Sequence, residues 1–272
     1  MAFSKKDFCF DFQLVEKVAD VQSLEDLLQY ACKENLVEIV KSLLNKQTVN
    51  VNVQDKKKKQ TPFFTACERG NFEIVKLMAE NPRVDINMTE MYGASPFATA
   101  CARGCLDVVK YLINDPRVDV DKADIDKKSP FCYACTSDKV EVVKLLMNDE
   151  RIDVNRRDIS GMTPFHSACM NNRVEVVKLM ATDPRIDVDI PSTDGITPLW
   201  IATYNKSSQV AKAILESGKK INIDARWSGG MVQSILQVAK EKKLEQIVEL
   251  IETYMNRPQG KLYTLIHTEI DK

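Results

Sequence analysis

Apolar positions along most of the chain recur at helical spacing in short blocks, separated by polar segments rich in Pro, Asp and Asn. FEIVKLM (72 to 78), LDVVKYL (106 to 112), VEVVKLL (140 to 146) and VEVVKLM (174 to 180) each predict a short amphipathic helix. Their pairs Glu73/Lys76, Asp107/Lys110, Glu141/Lys144 and Glu175/Lys178 mark the solvated face. A second kind of block precedes each of these helices. It opens with Thr61-Pro62, Ser95-Pro96, Ser129-Pro130, Thr163-Pro164 or Thr197-Pro198. A hydroxyl followed by Pro predicts a helix start, because the oxygen caps a free backbone N–H and Pro at the first helical position forgoes no hydrogen bond.

These first helices are predicted to be short. Ala66, Ala100, Ala134, Ala168 and Ala202 stand five residues after the hydroxyl, and Cys67, Cys101, Cys135 and Cys169 follow the first four. Ala31-Cys32 begins the same frame one unit earlier. Small side chains suit a close approach of two helices. Asn35, Gly70, Gly104, Asp138 and Asn172 are residue types that tolerate the left-handed conformation, and they predict the helix stops. Pro82, Pro116 and Pro184 end the second helices, and segments such as PRVDIN and ERIDVN predict extended fingers that turn back toward the next start.

Every Ser/Thr-Pro start lies 34 residues after the previous one, so a single unit recurs in phase. Helix, short turn, helix and finger, with TPFHSAC at 163 to 169 and RIDVNRRDISGMTPF at 151 to 165, resemble the ankyrin repeat. The resemblance runs over about residues 24–256. Three departures occur: a period of 34 rather than 33, an Asn/Asp-Pro-Arg corner where the family has Gly-Ala, and Cys at the second Ala position. The resemblance implies an all-α ankyrin-repeat solenoid of about seven units with short β-like finger turns. The units expected are 24–60, 61–94, 95–128, 129–162, 163–196, 197–230 and a carboxyl-terminal cap at 231–256, flanked by an extension (1–23) and a tail (257–272). VNVQDKKKKQ (51 to 60) reads as a finger one residue longer at its tip, and SILQVAKEKKLEQIVELIETY (234 to 254) as the last helix pair.

Composition narrows the function. A net charge of -1 gives no bulk attraction to nucleic acid or anionic membrane, and no apolar run approaches the ~20 residues of a bilayer span. Charges interrupt the apolar runs of MAFSKKDFCFDFQLVEK, so no secretory leader is expected there. Together with eight cysteines, this predicts free thiols in a reducing compartment, cytoplasmic or nuclear.

Chemistry-bearing candidates are few. Cys132 and Cys135 are spaced as a dithiol or zinc corner, but Cys135 falls in the frame of Cys67, Cys101 and Cys169, which assigns it to packing. Cys132 takes the place of Phe64, Ala98, His166 and Trp200. The resemblance makes His166 a hydrogen-bonding strut, and His267 lies in the tail. Asp85, Asp119, Asp153 and Asp187 recur with the fold, which catalytic residues do not normally do. No enzyme activity, metal or cofactor is expected. Lys56-Lys57-Lys58-Lys59 reads either as a solvated tip or as an import signal or acidic-partner contact.

The resemblance also implies where a protein partner binds: finger tips and the exposed side of the first helices. Tip positions are Lys57 and Lys58, Met91 and Tyr92, Ile125 and Asp126, Ile159 and Ser160, and Thr193 and Asp194. First-helix positions are Glu68 and Arg69, Ala102 and Arg103, Tyr133, Thr136 and Ser137, Met170 and Asn171, and Ile201, Tyr204 and Asn205. These vary from copy to copy while their neighbours repeat. The amino end of the surface is charged, the middle and carboxyl end apolar and aromatic, and Trp227 is a further anchor candidate. The expectation is a monomeric adaptor or inhibitor that binds protein. A nucleus-directed regulator using the lysine tip, or a thiol or zinc protein, are the alternatives.

Overall fold

Hydroxyls open the first helices as predicted. In the computed structural model, which describes residues 22–224 and 234–256, Thr61, Ser95, Ser129, Thr163 and Thr197 each accept a hydrogen bond from the backbone N–H three residues on, over 3.1 to 3.4 Å. Ser23 and Ser234 do the same for the first and last helix pairs, where no Pro follows. Fourteen helices form seven pairs among the described residues. They are α1 Leu24–Lys33 with α2 Val37–Leu44, α3 Pro62–Arg69 with α4 Phe72–Ala79, α5 Pro96–Arg103 with α6 Leu106–Ile113, α7 Pro130–Thr136 with α8 Val140–Met147, α9 Pro164–Met170 with α10 Val174–Thr182, α11 Pro198–Tyr204 with α12 Ser208–Leu215, and α13 Ile235–Glu241 with α14 Glu245–Met255.

Each first helix stops on a left-handed residue. Asn35, Gly70, Gly104, Asp138 and Asn172 have φ between 54° and 76°, as their chemistry predicts. Lys206 (59°) and Lys243 (56°) occupy the same place in the last two pairs. The sequence did not point to them, because a long side chain gains nothing locally in this conformation and costs about 1 kcal/mol there.

First helices pack on first helices and second on second, so the chain builds two parallel rows. Phe63, Phe97, Phe131 and Phe165, with Leu199 in the sixth pair, fill the layer between successive units and are essentially fully buried. The Ala-Cys pairs beside them are buried too, which lets the first helices approach closely. Cys32 and Cys135 each point their thiol at a methionine of the second-helix row, Met78 and Met180, at 3.5 and 3.6 Å. Glu141 and Lys144, and Glu175 and Lys178, close on the solvated face at 2.8 Å.

The corners, Asn/Asp-Pro-Arg in three units and Asp149-Glu150-Arg151 in the other, tie each unit to the one before it. Nη2 of Arg83, Arg117 and Arg151 donates to the carbonyls of Leu44, Ala79 and Ile113 at 2.5, 2.7 and 2.6 Å, and Arg185 does the same to Met147. Those four carbonyls belong to the last residues of α2, α4, α6 and α8. A guanidinium placed there satisfies a terminal carbonyl and sits at the negative end of the helix dipole. Asp115, Asp149 and Asp183 hold their arginines by two side-chain hydrogen bonds each. The guanidinium in turn keeps these carboxyls below their usual range. In the sixth pair Lys219 stands in this register and donates to the carbonyls of Asp183 and Ile186. The corners therefore do more than stop helices.

Candidate partner-binding surface

Fingers join through one backbone hydrogen bond per step. The amides of Met91, Ile125, Ile159 and Thr193 donate to the carbonyls of Lys58, Tyr92, Asp126 and Ser160 over 2.9 to 3.1 Å. Each tip is shaped by an acidic or hydroxyl side chain that accepts from amides within the same turn. Asp55 bonds Lys57 and Lys58, Glu90 bonds Tyr92 and Ala94, Asp124 bonds Asp126 and Lys128, and Asp158 bonds Ser160 and Met162. Lys59, Gly93, Lys127, Gly161 and Gly195 close the turns in the left-handed region. At Gly161 a Cβ would also lie 2.8 Å from the amide nitrogen of Thr193, so the next finger leaves no room for one. The first tip is one residue longer: Asp55 pairs with Gln60 across the turn, where Glu90 pairs with Ala94.

This ladder sets the tip side chains in a row that no neighbouring unit covers. Met91, Tyr92, Ile125 and Ile159 are 48%, 58%, 64% and 58% exposed, and Met170 and Tyr204 on the first-helix row are 44% and 51% exposed. These six are the large exposed hydrophobics among the described residues, and all occupy tip or first-helix positions. Scattered surface hydrophobes would have no reason to share one face.

Other residues expected on this surface fare differently. Ile201 is only 5% exposed and belongs to the core, which corrects the expectation that it faces a partner. Its register position looks toward the neighbouring unit: Thr65 there accepts from Gln29, and Ser167 meets Cys132 at 3.4 Å. Exposure at this register differs between units: Thr65 is buried as Ile201 is, whereas Thr99, Tyr133 and Ser167 are partly exposed. Tyr133 itself is half-buried, and its hydroxyl donates to Asp124 at 2.5 Å, so burial and that carboxylate push its acidity down, raising the pKa. Ser137 is partly buried, whereas Asn171 is exposed and braces Ser167 through its amide.

Part of the charge at the amino end is paired within the stack. Arg103 donates to Glu68 at 2.5 Å across neighbouring first helices, and Glu68 is mostly covered. Arg69, Lys57 and Lys58 stay exposed, with Lys56 and Lys59 beside them. At the carboxyl end Trp200 stacks on Tyr204, ring centroids 5.0 Å apart, and the Lys242 ammonium sits 4.0 Å from the Tyr204 centroid. Trp227, His267, residues 1–21 of the extension and the tail lie outside the described residues.

Reactive groups are turned inward. Cys132 and Cys135 face different neighbours, Ser167 and Met180, and burial pushes both thiols up, which makes them poor nucleophiles. His166 is buried in a capping box: Nδ1 accepts from the Thr163 amide at 3.1 Å and Nε2 donates to the Ile196 carbonyl at 3.1 Å. Burial lowers its pKa to about 4, so the ring is a neutral strut between units. Among the described residues no three His, Cys, Asp or Glu side chains converge as metal ligands, and no helix is long and apolar enough to cross a membrane.

Two rows of helices with a hydrogen-bonded edge of fingers define a linear repeat scaffold. A family profile described as ankyrin repeats in three copies matches residues 28–124 and 116–192, and one described as ankyrin repeat matches 194–227. The chain belongs to the ankyrin repeat family. The crystal structure of the human ASB11 ankyrin repeat domain superimposes with a TM-score of 0.67 at 25% identity, over 82% of this chain and 96% of that one. No curated protein matches the sequence. Ankyrin repeats are generally protein interaction modules, and the fold is typically non-enzymatic.

Proposed function

We propose that the chain is a non-enzymatic protein-binding adaptor that holds a partner along its finger tips and first-helix row. The observation that carries this reading is the confinement of all six large exposed hydrophobics to that surface. Tyr and Met are enriched at interface cores, and a surface preformed by a rigid stack loses little entropy on binding. The partner's contact face is apolar over Met91, Tyr92, Ile125 and Ile159. Near the lysine tip it is acidic. The chain acts as a monomer, because the repeat closes its own core and offers one binding edge.

The test is affinity capture from the source cell with the native chain and a Tyr92→Ser, Ile125→Ser, Ile159→Ser variant of unchanged circular dichroism. A protein held by the native chain and lost from the variant supports the reading. Identical capture by both overturns it. A second reading, a nuclear regulator that binds nucleic acid, rests on the four exposed lysines at 56–59. It requires binding that weakens steeply with salt and is lost when all four become Ser.

A further inference from the structure

Second helices carry two apolar stripes about 100° apart around the axis. One turns back to the preceding pair, as Met78 does to meet the Cys32 thiol at 3.5 Å. The other, Val75 and Ala79 in α4, is buried in all six pairs that have a successor. In α14 the first stripe, Ile247 and Ile251, stays buried, whereas Val248 of the second is only partly covered and Glu252 is exposed. The first helices agree. Phe63 and its counterparts are essentially fully buried, but Leu236 in their register is partly exposed, and Lys240 stands exposed where Cys67 stands in α3. No described helix lies beyond α14 to cover this outer face.

Two of these outward positions are charged. Lys240 and Glu252 pair between α13 and α14 at 3.3 Å, each about half exposed. They stand where a further repeat would need small apolar side chains, so another helix pair could pack here only by desolvating both charges. Beside them a cleft of about 680 Å³ opens along α14, with Leu244 and Val248 among its lining residues. Thr253 and Asn256 also line it, so the chain leaves the described structure at the rim of the cleft. The face is too charged for a repeat, yet it keeps an apolar strip for a thinner occupant.

We propose that the tail, residues 257–272, folds back and docks its apolar positions in this cleft, closing the stack as a following unit does elsewhere. Leu262, Leu265 and Ile266 recur at i, i+3 and i+4, the spacing of one helical face. A block this short does not hold a helix alone in water, and Leu244 and Val248 offer it the burial it lacks. The link is long enough. The residues from Arg257 to Lys261 reach about 17 Å when extended, and Val248 lies only about 12 Å back from Asn256 along the helix. Pro258 and Gly260 in that link favour a turn over a continuation of α14. Charge is complementary as well, because the tail brings Arg257 and Lys261 to a cleft bordered by Glu249 and Glu252.

The experiment is amide hydrogen exchange at one pH for the full native chain and for Leu262→Ser, Leu265→Ser and Ile266→Ser combined, which leaves every repeat residue in place. Exchange at 245–255 should be about tenfold faster in the variant, while α3 to α10 are unaffected. Val248→Ser should speed the same amides. Joined to the tail substitutions it should have little further effect, because both changes remove one contact. Equal exchange in native and variant chains, an acceleration spread evenly over the stack, or full additivity with Val248→Ser overturns the docking. So does protection of α14 that rises with protein concentration and survives the tail substitutions, which would put a second copy of the chain in the cleft.

Discussion

Each loop between helix pairs has a corner and a tip a few residues apart in sequence, as Arg117 and Ile125 are, and the two obey opposite rules. Corners are nearly identical from unit to unit: Arg83, Arg117, Arg151 and Arg185 all reach back to the last carbonyl of the preceding second helix. Tips share a backbone bond but differ in side chain: Lys58, Tyr92, Asp126 and Ser160 offer equivalent carbonyls. A residue that must fit the next copy of its own unit repeats. One that faces away from every copy is free to differ. Repetition here therefore marks internal fastening, and variation marks the surface available to another molecule.

This contrast can be broken or sharpened by substitution, starting with the largest effect. Arg151→Ala removes a cation from the end of α6 and strands the Ile113 carbonyl; urea unfolding should show a loss of about 1.5 kcal/mol. An equal loss from an exposed tip substitution would erase the distinction. Ser129→Ala, which deprives the Cys132 amide of its acceptor at the start of α7, should cost about 1 kcal/mol by the same measurement. Ile125→Ser, at a position 64% exposed, should change stability by no more than about 0.5 kcal/mol, while partner capture falls.

The period, the two helix types and their stops were readable from the chain because each depends on residues within a few positions of one another. Thr163 caps the amide three residues on, and Gly104 ends its own helix. The tip hydrophobics were readable as well, since an in-phase repeat shows which positions vary. What the chain did not reveal involves partners about a repeat apart. Nothing near Arg117 in sequence indicates that it bonds Ala79, and nothing near Arg103 indicates that Glu68 neutralises it. Ile201 misled for a related reason: cover at its register comes from the neighbouring unit and differs along the stack, Thr65 and Ile201 being buried while Thr99, Tyr133 and Ser167 are partly exposed. Lys206 and Lys243 hold left-handed turns because the repeat geometry demands it, against their own preference.

Of the six buried thiols among the described residues, the five of the Ala-Cys frame, Cys32, Cys67, Cys101, Cys135 and Cys169, stand one to each of the first five helix pairs, with Cys132 sharing the fourth. Burial suppresses ionisation in all five, so the closed stack withholds them from alkylating reagents. A thiol reacts only while its own layer is breathing. The order in which the five acquire label is thus a clock written into the scaffold, and it reports whether the stack frays from its ends or splits in the middle.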